Sequence, residues 1–412
     1  MRCIALGQAW VDAGRHQAAV RDQKSDVSLS SDLCPTTSVV FICAEIPEAL
    51  AMRIKSEGFD LIRINAEPGS SDDLNQTLDV VSGLPLRCPA FAEPSSPTAR
   101  FRSQVSGLKC DSLSDFRLPS SVLCPLSSFP SGRSPQPSPL TSLWLVLDGY
   151  HFNLDYQRGI RAAGHKLVLI DDYNHLAEYE CDILLNQNIN ATDLDYHTNS
   201  EAKRLLGTQY ALLRREFKRG TGFQPVQRDS NGEVGRKFPD IARNILVTLG
   251  GADPDNVTLK VIQALNQVDI PDMQVKVVVG SANPHIASLE TVLQHSTSNI
   301  QLINSADMAE LMAWADLAIS AAGSTCWEFC YLGVPLMTII LAENQVGLAG
   351  RLEKNGASKN MGWHNQIDVV GFAEEIYNLL NNEVLRNSLS CHALNLVDGR
   401  GSFRVVEIIN GG

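Results

Sequence analysis

No stretch of this 412-residue sequence is apolar for long enough to cross a bilayer as a helix. Positive charge is scarce: 34 lysines and arginines stand against 46 aspartates and glutamates, a formal net charge of −12. That balance argues against nucleic acid and against an anionic membrane surface as partners. The ten cysteines follow neither metal-ligand nor disulfide spacing. Cys326 and Cys330, four apart, suit a packed helix face better than a metal pair. The chain therefore reads as reduced and cytoplasmic, with no metal and no cofactor. The N-terminus, MRCIALGQAWVDAG, reads as an amphipathic helix rather than a signal peptide. Short-period repeats are absent as well. What remains is globular in composition, 44% hydrophobic and 19% charged, and long enough for two domains of ordinary size.

The stretch from Asp316 to Gln345, DLAISAAGSTCWEFCYLGVPLMTIILAENQ, organises the rest. Leu317 to Ser320 is a short apolar run of the kind that forms a buried strand. It breaks into Ala321-Ala322-Gly323-Ser324-Thr325. A helical pattern follows, with Cys326, Phe329, Cys330 and Leu332 on its apolar side. Gly333 ends that helix and Pro335 forbids its continuation. Leu336 to Leu341 is a second apolar strand. Strand, small-residue turn, helix, strand is half of a nucleotide-binding α/β unit. Gly323 lets a ligand approach the backbone, and Ser324 and Thr325 add hydroxyl donors. The free N–H groups of a helix start favour an anion such as a phosphate. Glu328, one turn in, can accept two hydrogen bonds from a ribose diol. A structural reading suits the same residues equally well: Ser324 as an N-cap, Glu328 as a complement to the helix dipole.

Before this stretch the chain alternates. Helix is expected over Met1–Ala13, Pro47–Gly58 and Ser70–Val81, and strand over Ser38–Ala44 and Asp60–Asn65. Residues 84–141 hold ten of the nineteen prolines and many serines, so they read as an insertion without order. Strands are expected again at Leu143–Asp148, His165–Asp172 and Cys181–Gln187, with helices up to Ala163 and over Glu201–Gly207. Lys218–Asp240 is a polar loop. Five strands then fit at Asn244–Leu249, Val275–Gly280, Ile300–Ile303, Leu317–Ser320 and Leu336–Ile340. Helices fill the gaps, and Asp368–Asn381 and Glu383–Asn395 close the series. Such alternation implies parallel sheets covered on both faces.

A second turn of interest follows the strand from Asn244, in NILVTLGGADPDN. Gly250-Gly251 at a strand's carboxyl end is an anion-binding turn in outline, although most glycine pairs are simply tight turns. Both turns would lie at the carboxyl edge of one parallel sheet, where open α/β sheets bind ligands. Asn344 and Gln345 follow the last strand at that edge and suit a sugar, while Asn344 suits an N-cap as well. In the first half, Asp148, Tyr150, Asp171, Asp172, Asn186 and Asn188 end strands. The Asp171-Asp172 pair fits acid/base work or the capping of the next turn.

Taken in order, several segments resemble one family: MRCIAL at the start, FICAE at 41–45, LDGY at 147–150, IDD at 170–172, CDILLNQN at 181–188, YALLRREF at 210–217, LVTLGGADPDN at 246–256, and ADLAISAAGSTCWEFCYLGVP through AENQ at 315–345. The family is the UDP-2,4-diacetamido-2,4,6-trideoxy-β-L-altropyranose hydrolases of pseudaminic acid biosynthesis, with relatives in spore-coat polysaccharide synthesis. It is similar in turn to the GT-B glycosyltransferases, the lipid II N-acetylglucosaminyltransferase above all. The resemblance implies a GT-B-like α/β fold: two Rossmann-like domains with parallel sheets facing across a cleft, plus disordered insertions. The sugar-side domain would span 1–217, with insertions at about 14–37 and 84–141. Residues 218–243 would link it to a UDP-binding domain over 244–412.

The implied partner is a UDP-sugar. The resemblance puts its diphosphate at Gly250, Gly251 and Asp253 and at Ala322, Gly323, Ser324 and Thr325. The ribose would meet Glu328, and uracil the backbone from Ile303 to Met308. The sugar would face Asn344 and Gln345, with Asp148, Tyr150, Asp172 and Asn186 across the cleft. The implied reaction is hydrolysis at the anomeric carbon, supported by Asp148, Tyr150 and Asn344. The family carries a Gly-rich loop ending in His directly before its M-R-C-x-A-L helix, and that His is the expected base. Here the expected base precedes Met1, and His16, beyond the helix, is no substitute. Loss of such a base costs roughly 10²–10⁴-fold. Two further readings therefore stand beside hydrolysis: a UDP-sugar glycosyltransferase, and a catalytically weak UDP-sugar-binding homologue.

Overall fold

The computed structural model describes residues 1–22, 39–84, 143–217, 236, 238–280, 282–294, 299–304 and 307–411, with the backbone alone for 14–22. The predicted insertion at 84–141 and most of those at 14–37 and 218–243 lie outside the described residues.

The second half forms a six-stranded parallel sheet. Its strands are β7 (Asn244–Thr248), β8 (Gln274–Val278), β9 (Asn299–Ile303), β10 (Leu317–Ala321), β11 (Leu336–Ile340) and β12 (Lys359–Trp363). They lie in the order β12-β11-β10-β7-β8-β9. The largely apolar sequences of β7, β10 and β11 are what burial on both faces demands. Alternate residues serve opposite layers. Ile245, Val247, Leu317 and Ile319 enter one core with α5 (Val257–Leu265) and α10 (Val369–Leu380). Leu246 and Ala318 enter the other with α7 (Met308–Trp314), α8 (Thr325–Leu332) and α9 (Val346–Lys354). The remaining helices of this half are α6 (Ile286–Gln294) and α11 (Glu383–Leu394).

The first half is split. The strands β1 (Val40–Cys43) and β2 (Asp60–Arg63) pair in parallel by themselves. A four-stranded parallel sheet runs in the order β3 (Trp144–Asp148), β4 (Lys166–Ile170), β5 (Ile183–Asn186), β6 (Lys203–Leu206). Helix α1 (Arg2–Asp22) serves both pieces. Its Ile4 packs with Ile54 of α2 (Glu48–Ser56) and Phe59, while Ala5, Leu6 and Ala9 pack on Val168, Ile183 and Leu185. The opposite face of the four-stranded sheet carries Leu74 of α3 (Ser71–Gly83) and Tyr156 and Ile160 of α4 (Leu154–Ala162).

Four elements differ from the expectations. Residues Lys203–Leu206 are strand β6, not part of a helix over Glu201–Gly207. Pairing with β5 overrides the helical propensity of Lys-Arg-Leu-Leu, and the exposed Lys203 and Arg204 suit a sheet edge. Helix α1 continues past Ala13 to Asp22. Strand β12, with Gly362 in it, and helix α12 (Gly401–Asn410) were not among the expected elements. Helix α12 returns to the first half, where Val405, Val406 and Ile409 join the core under α1. Gly401 makes that return fit: a Cβ there would fall 2.3 Å from the Ala211 carbonyl oxygen.

Among the described residues, no helix is long and apolar enough to cross a membrane, and no cluster of three metal-ligating side chains occurs.

Candidate active site

The strand order of the second sheet reverses between β7 and β10, which are hydrogen-bonded neighbours with Thr248 opposite Ser320. The chain leaves β7 toward β8 and β9, then returns to β10 and moves out toward β12. Such a reversal opens a crevice at the carboxyl ends of the two strands. Gly250-Gly251 follows β7 and Gly323-Ser324 follows β10, so the two turns lie on one edge. Gly250 adopts φ +93°, which favours glycine. Gly251 and Gly323 do not have positive φ, and a Cβ on either would meet nothing within 4 Å. Neither conformation nor packing requires glycine at these two positions. What their bareness provides is naked peptide backbone facing open space. Gly280 is the contrast: its Cβ would sit 2.3 Å from the Gly251 carbonyl oxygen, so Gly280 seats the turn against the end of β8.

The residues around these turns divide into open and engaged. Ser324 is exposed and makes no side-chain cap bond, so the N-cap reading does not hold for it. Thr325 begins α8, and Ala322 is buried with its N–H donated to Ile339. Asp253, expected at a diphosphate, is 4% exposed and caps α5 instead, accepting from Val257 N at 2.8 Å and Thr258 N at 2.9 Å. Ile303 and Met308 pack on the core edge, and residues 305–306 between them lie outside the described residues.

Glu328 is buried and held by Arg214 in a two-point grip, Nε to Oε1 at 2.8 Å and Nη2 to Oε2 at 3.0 Å. Burial pushes the Glu328 carboxyl up, and Arg214 counters it. Arg214 also reaches Glu216 at 3.0 Å, which in turn meets Arg53 of α2 at 3.1 Å. This chain of charges ties α8 to the first half. Two of the roughly four lone-pair positions of the Glu328 carboxylate are taken by Arg214, and the rest remain for other donors. Sequence reasoning missed Arg214, because nothing in YALLRREF says which arginine points inward.

The carboxyl edge of the first sheet is built from side chains. Asp148 ends β3, Asp171-Asp172 follows β4, and Asn186 ends β5. Arg2, at the start of α1, draws Asp148 and Asp172 together, with Nε to Asp148 Oδ2 at 3.3 Å and Nη1 to Asp172 Oδ1 at 2.6 Å. Burial alone would lower the Arg2 pKa, but the two carboxylates outweigh it and raise it. Asp172 also accepts from Asn188 Nδ2 at 3.0 Å and from Tyr150 Oη at 2.6 Å. Asn344 Nδ2, from the loop after β11, donates to Tyr150 Oη at 2.9 Å. Asn344 is therefore no cap, and one continuous network runs Arg2, Asp172, Tyr150, Asn344 from the first half to the second. Gln345 is engaged locally, accepting from Leu341 N at 2.9 Å. Asn186 is fully buried and committed to Tyr196 and Asn188 N, so it positions the loop and does not line its surface. Asn188, noted above at a strand end, and Arg2, which was not singled out, complete the network.

The two adjacent aspartates part company. Asp172 faces the network, whereas Asp171 turns inward with no exposure. Asp171 accepts from Tyr173 N at 2.9 Å, Asn174 N at 2.6 Å, Tyr196 Oη at 2.7 Å and Tyr179 Oη at 3.1 Å, and from His175 Nδ1. Burial alone would raise its pKa. Hydrogen bonds from His175, Tyr196 and Asn174 outweigh that and hold the carboxyl below its usual range.

With this geometry in place, likenesses to known proteins take on meaning. Residues 244–386 match the glycosyltransferase family 28 C-terminal domain. The chain is 28% identical over 245 residues to the spore coat polysaccharide biosynthesis protein SpsG of Bacillus subtilis, covering 59% of this chain and 69% of that one. It is 26% identical over 221 residues to a Helicobacter pylori pseudaminic acid cytidylyltransferase and UDP-2,4-diacetamido-2,4,6-trideoxy-β-L-altropyranose hydrolase, covering 52% of this chain and 37% of that protein. In fold it is similar to MurG of Acinetobacter baumannii, with TM-score 0.53 at 12% identity over 99% of this chain and 96% of the other. Parallel sheets and a switch-point crevice give the chain a GT-B architecture, with a family 28 C-terminal domain over residues 244–386 and likeness to SpsG and to the Helicobacter protein.

Proposed function

We propose that this chain hydrolyses a nucleotide sugar, releasing UDP from a UDP-diacetamido-trideoxy sugar by water attack at the anomeric carbon, in nonulosonic acid or surface polysaccharide synthesis. The observation that carries the reading is the pair of bare glycine turns astride the switch point. Gly251 and Gly323 lack side chains where neither backbone nor packing asks for it, and a ligand's close approach explains both.

In this reading the diphosphate lies along Gly250-Gly251 and Gly323-Ser324-Thr325. The departing UDP gathers negative charge as the bond to the sugar breaks. Of the turn amides, the Gly323 N–H is given to the Ala321 carbonyl at 2.8 Å; those left over would stabilise the transition state more than the ground state as that charge grows. Glu328, fixed by Arg214, offers its remaining lone pairs to the ribose hydroxyls. Asn344 and the Asp148, Asp172 and Tyr150 group face the sugar from opposite halves. The Helicobacter protein's name supports the hydrolase assignment, and cytoplasmic action fits an activated-sugar substrate.

The family 28 domain supports a second reading, transfer of the sugar to an alcohol acceptor. Mixing the chain with the UDP-diacetamido sugar separates them. UDP release without acceptor is the expected result. Release only with an acceptor alcohol would establish the transferase, and binding without release would leave a nucleotide-sugar-binding protein.

A further inference from the structure

Tyr173 stands directly after Asp172, in the loop that follows β4. It is 38% exposed, and its neighbour in space, Tyr150, is 40% exposed. Their rings meet edge to face, 5.1 Å between centroids and 74° between planes. Both are held in place. The Tyr150 hydroxyl is fixed by Asp172 at 2.6 Å and by Asn344 at 2.9 Å. Tyr173 is fixed through its backbone, its N–H donated to Asp171 Oδ1 at 2.9 Å. The next residue, Asn174, takes the left-handed conformation at φ +60° and donates from Nδ2 to the Asp195 carbonyl at 3.0 Å, which secures the turn. The buried His175 ring packs behind both tyrosines, 5.3 Å from Tyr150 and 5.8 Å from Tyr173 between centroids.

The chemistry of this corner differs from the rest of the edge. Arg2, Asp148, Asp172 and Asn188 bond to one another. Tyr150 and Tyr173 instead present two ring surfaces to solvent, nearly at right angles. An aromatic face is negative, and sugar C–H bonds, polarised by neighbouring oxygens, bring positive hydrogens to it. A methyl group fits where a ring face meets a ring edge. A hydroxyl pressed into the same angle loses its water without gaining a partner there. The corner is also in the right place. Asn344 reaches the Tyr150 hydroxyl from the other half, so the Tyr150 ring walls the gap in which the proposed function seats the sugar. Tyr173 extends that wall by one ring.

We propose that Tyr150 and Tyr173 form an aromatic corner for the C6 methyl group of a 6-deoxy sugar, and that Tyr173 sets the preference for that sugar over one with a C6 hydroxyl. This rests on the sugar lying beside Tyr150 and Asn344, as in the proposed function. No bond is made or broken at the corner, and Tyr173 acts on specificity alone. The discrimination expected from one apolar group against its hydroxylated counterpart is roughly tenfold.

Binding measurements test this without relying on turnover. Calorimetry compares UDP, the UDP-diacetamido-trideoxy sugar and the same sugar nucleotide with a hydroxyl on C6. The wild-type chain should bind the 6-deoxy compound roughly tenfold more tightly than the 6-hydroxy one. Tyr173→Ala should bind the two alike with UDP affinity kept, and Tyr173→Phe should restore the preference. In saturation-transfer NMR, irradiation of the aromatic protons should reach the C6 methyl in wild type and much less in Tyr173→Ala. Equal binding of the two sugars by wild type, or a preference that survives in Tyr173→Ala, would overturn the proposal. Its failure is separable from that of the proposed reaction. UDP release by hydrolysis with no C6 preference removes the corner and keeps the reaction. A C6 preference in a chain that releases UDP only to an acceptor alcohol, or not at all, removes hydrolysis and keeps the corner.

Discussion

The two sheets present the same kind of edge and furnish it in opposite ways. At the carboxyl edge of β7 and β10 the chain withdraws its side chains, leaving Gly250, Gly251 and Gly323 with open space before them. At the edge of β3 and β4 it crowds charge together, with Arg2 clamped between Asp148 and Asp172. Backbone N–H groups hold an anion of any identity at fixed distance, which suits a group common to many ligands. Directional side chains distinguish hydroxyl from hydroxyl, which suits the variable part. In the proposed function this difference becomes a division of labour between common and specific recognition, and substitutions on either side should fail differently.

The largest effect is expected at the junction between the halves. Arg214→Met leaves Glu328 buried without its partner and should cost about 3–5 kcal/mol in denaturant unfolding. Adding Glu328→Leu should recover most of that stability without restoring UDP affinity. A single variant as stable as wild type would mean the pair holds nothing together.

Next comes the bare edge. Gly323→Val fills space that the fold leaves open, so melting should be unchanged while UDP binding in calorimetry weakens roughly 100-fold, about 2.7 kcal/mol. Gly280→Ala should do the reverse in kind, lowering stability because its Cβ meets the Gly251 backbone. Equal UDP affinity in Gly323→Val and wild type would remove the contrast between the two edges.

On the crowded edge, Tyr150→Phe removes the hydroxyl that joins Asp172 to Asn344. The loss should be about 0.5–1.5 kcal/mol in unfolding, with UDP affinity untouched and the KM for the sugar nucleotide raised. A change in UDP affinity would show that the edges are not separate.

The smallest contrast is one of slope with pH. The folded Asp171 carboxyl lies below the ordinary value near 4, so its contribution is complete above about pH 4 and is lost as pH falls through the lower folded value. Asp171→Asn should flatten the acid limb of a stability–pH series relative to wild type. An identical limb in the two proteins would assign acid lability elsewhere.

The readable features are those with local causes. Short, largely apolar runs marked β7, β10 and β11, and Gly333 with Pro335 marked the end of α8. Even the crevice follows from strand order once alternation is recognised. Lys203–Leu206 shows the limit: four residues of helical propensity became an edge strand because β5 offered hydrogen bonds that only tertiary structure supplies. Asp253 shows another, since a carboxylate after a glycine pair suits a ligand or a helix cap, and only the path of α5 decides.

By itself, the sequence determined an acidic chain of alternating strands and helices with two small-residue turns on one sheet edge, because period, glycine placement and charge are local properties. Only the tertiary structure decided which charges meet. Arg2 finds Asp172 across 170 residues and Arg214 finds Glu328 across 114, and Asp171 rather than Asp172 turns inward to His175. Those pairings depend on where distant backbone segments come to rest, and no periodicity in the chain encodes that.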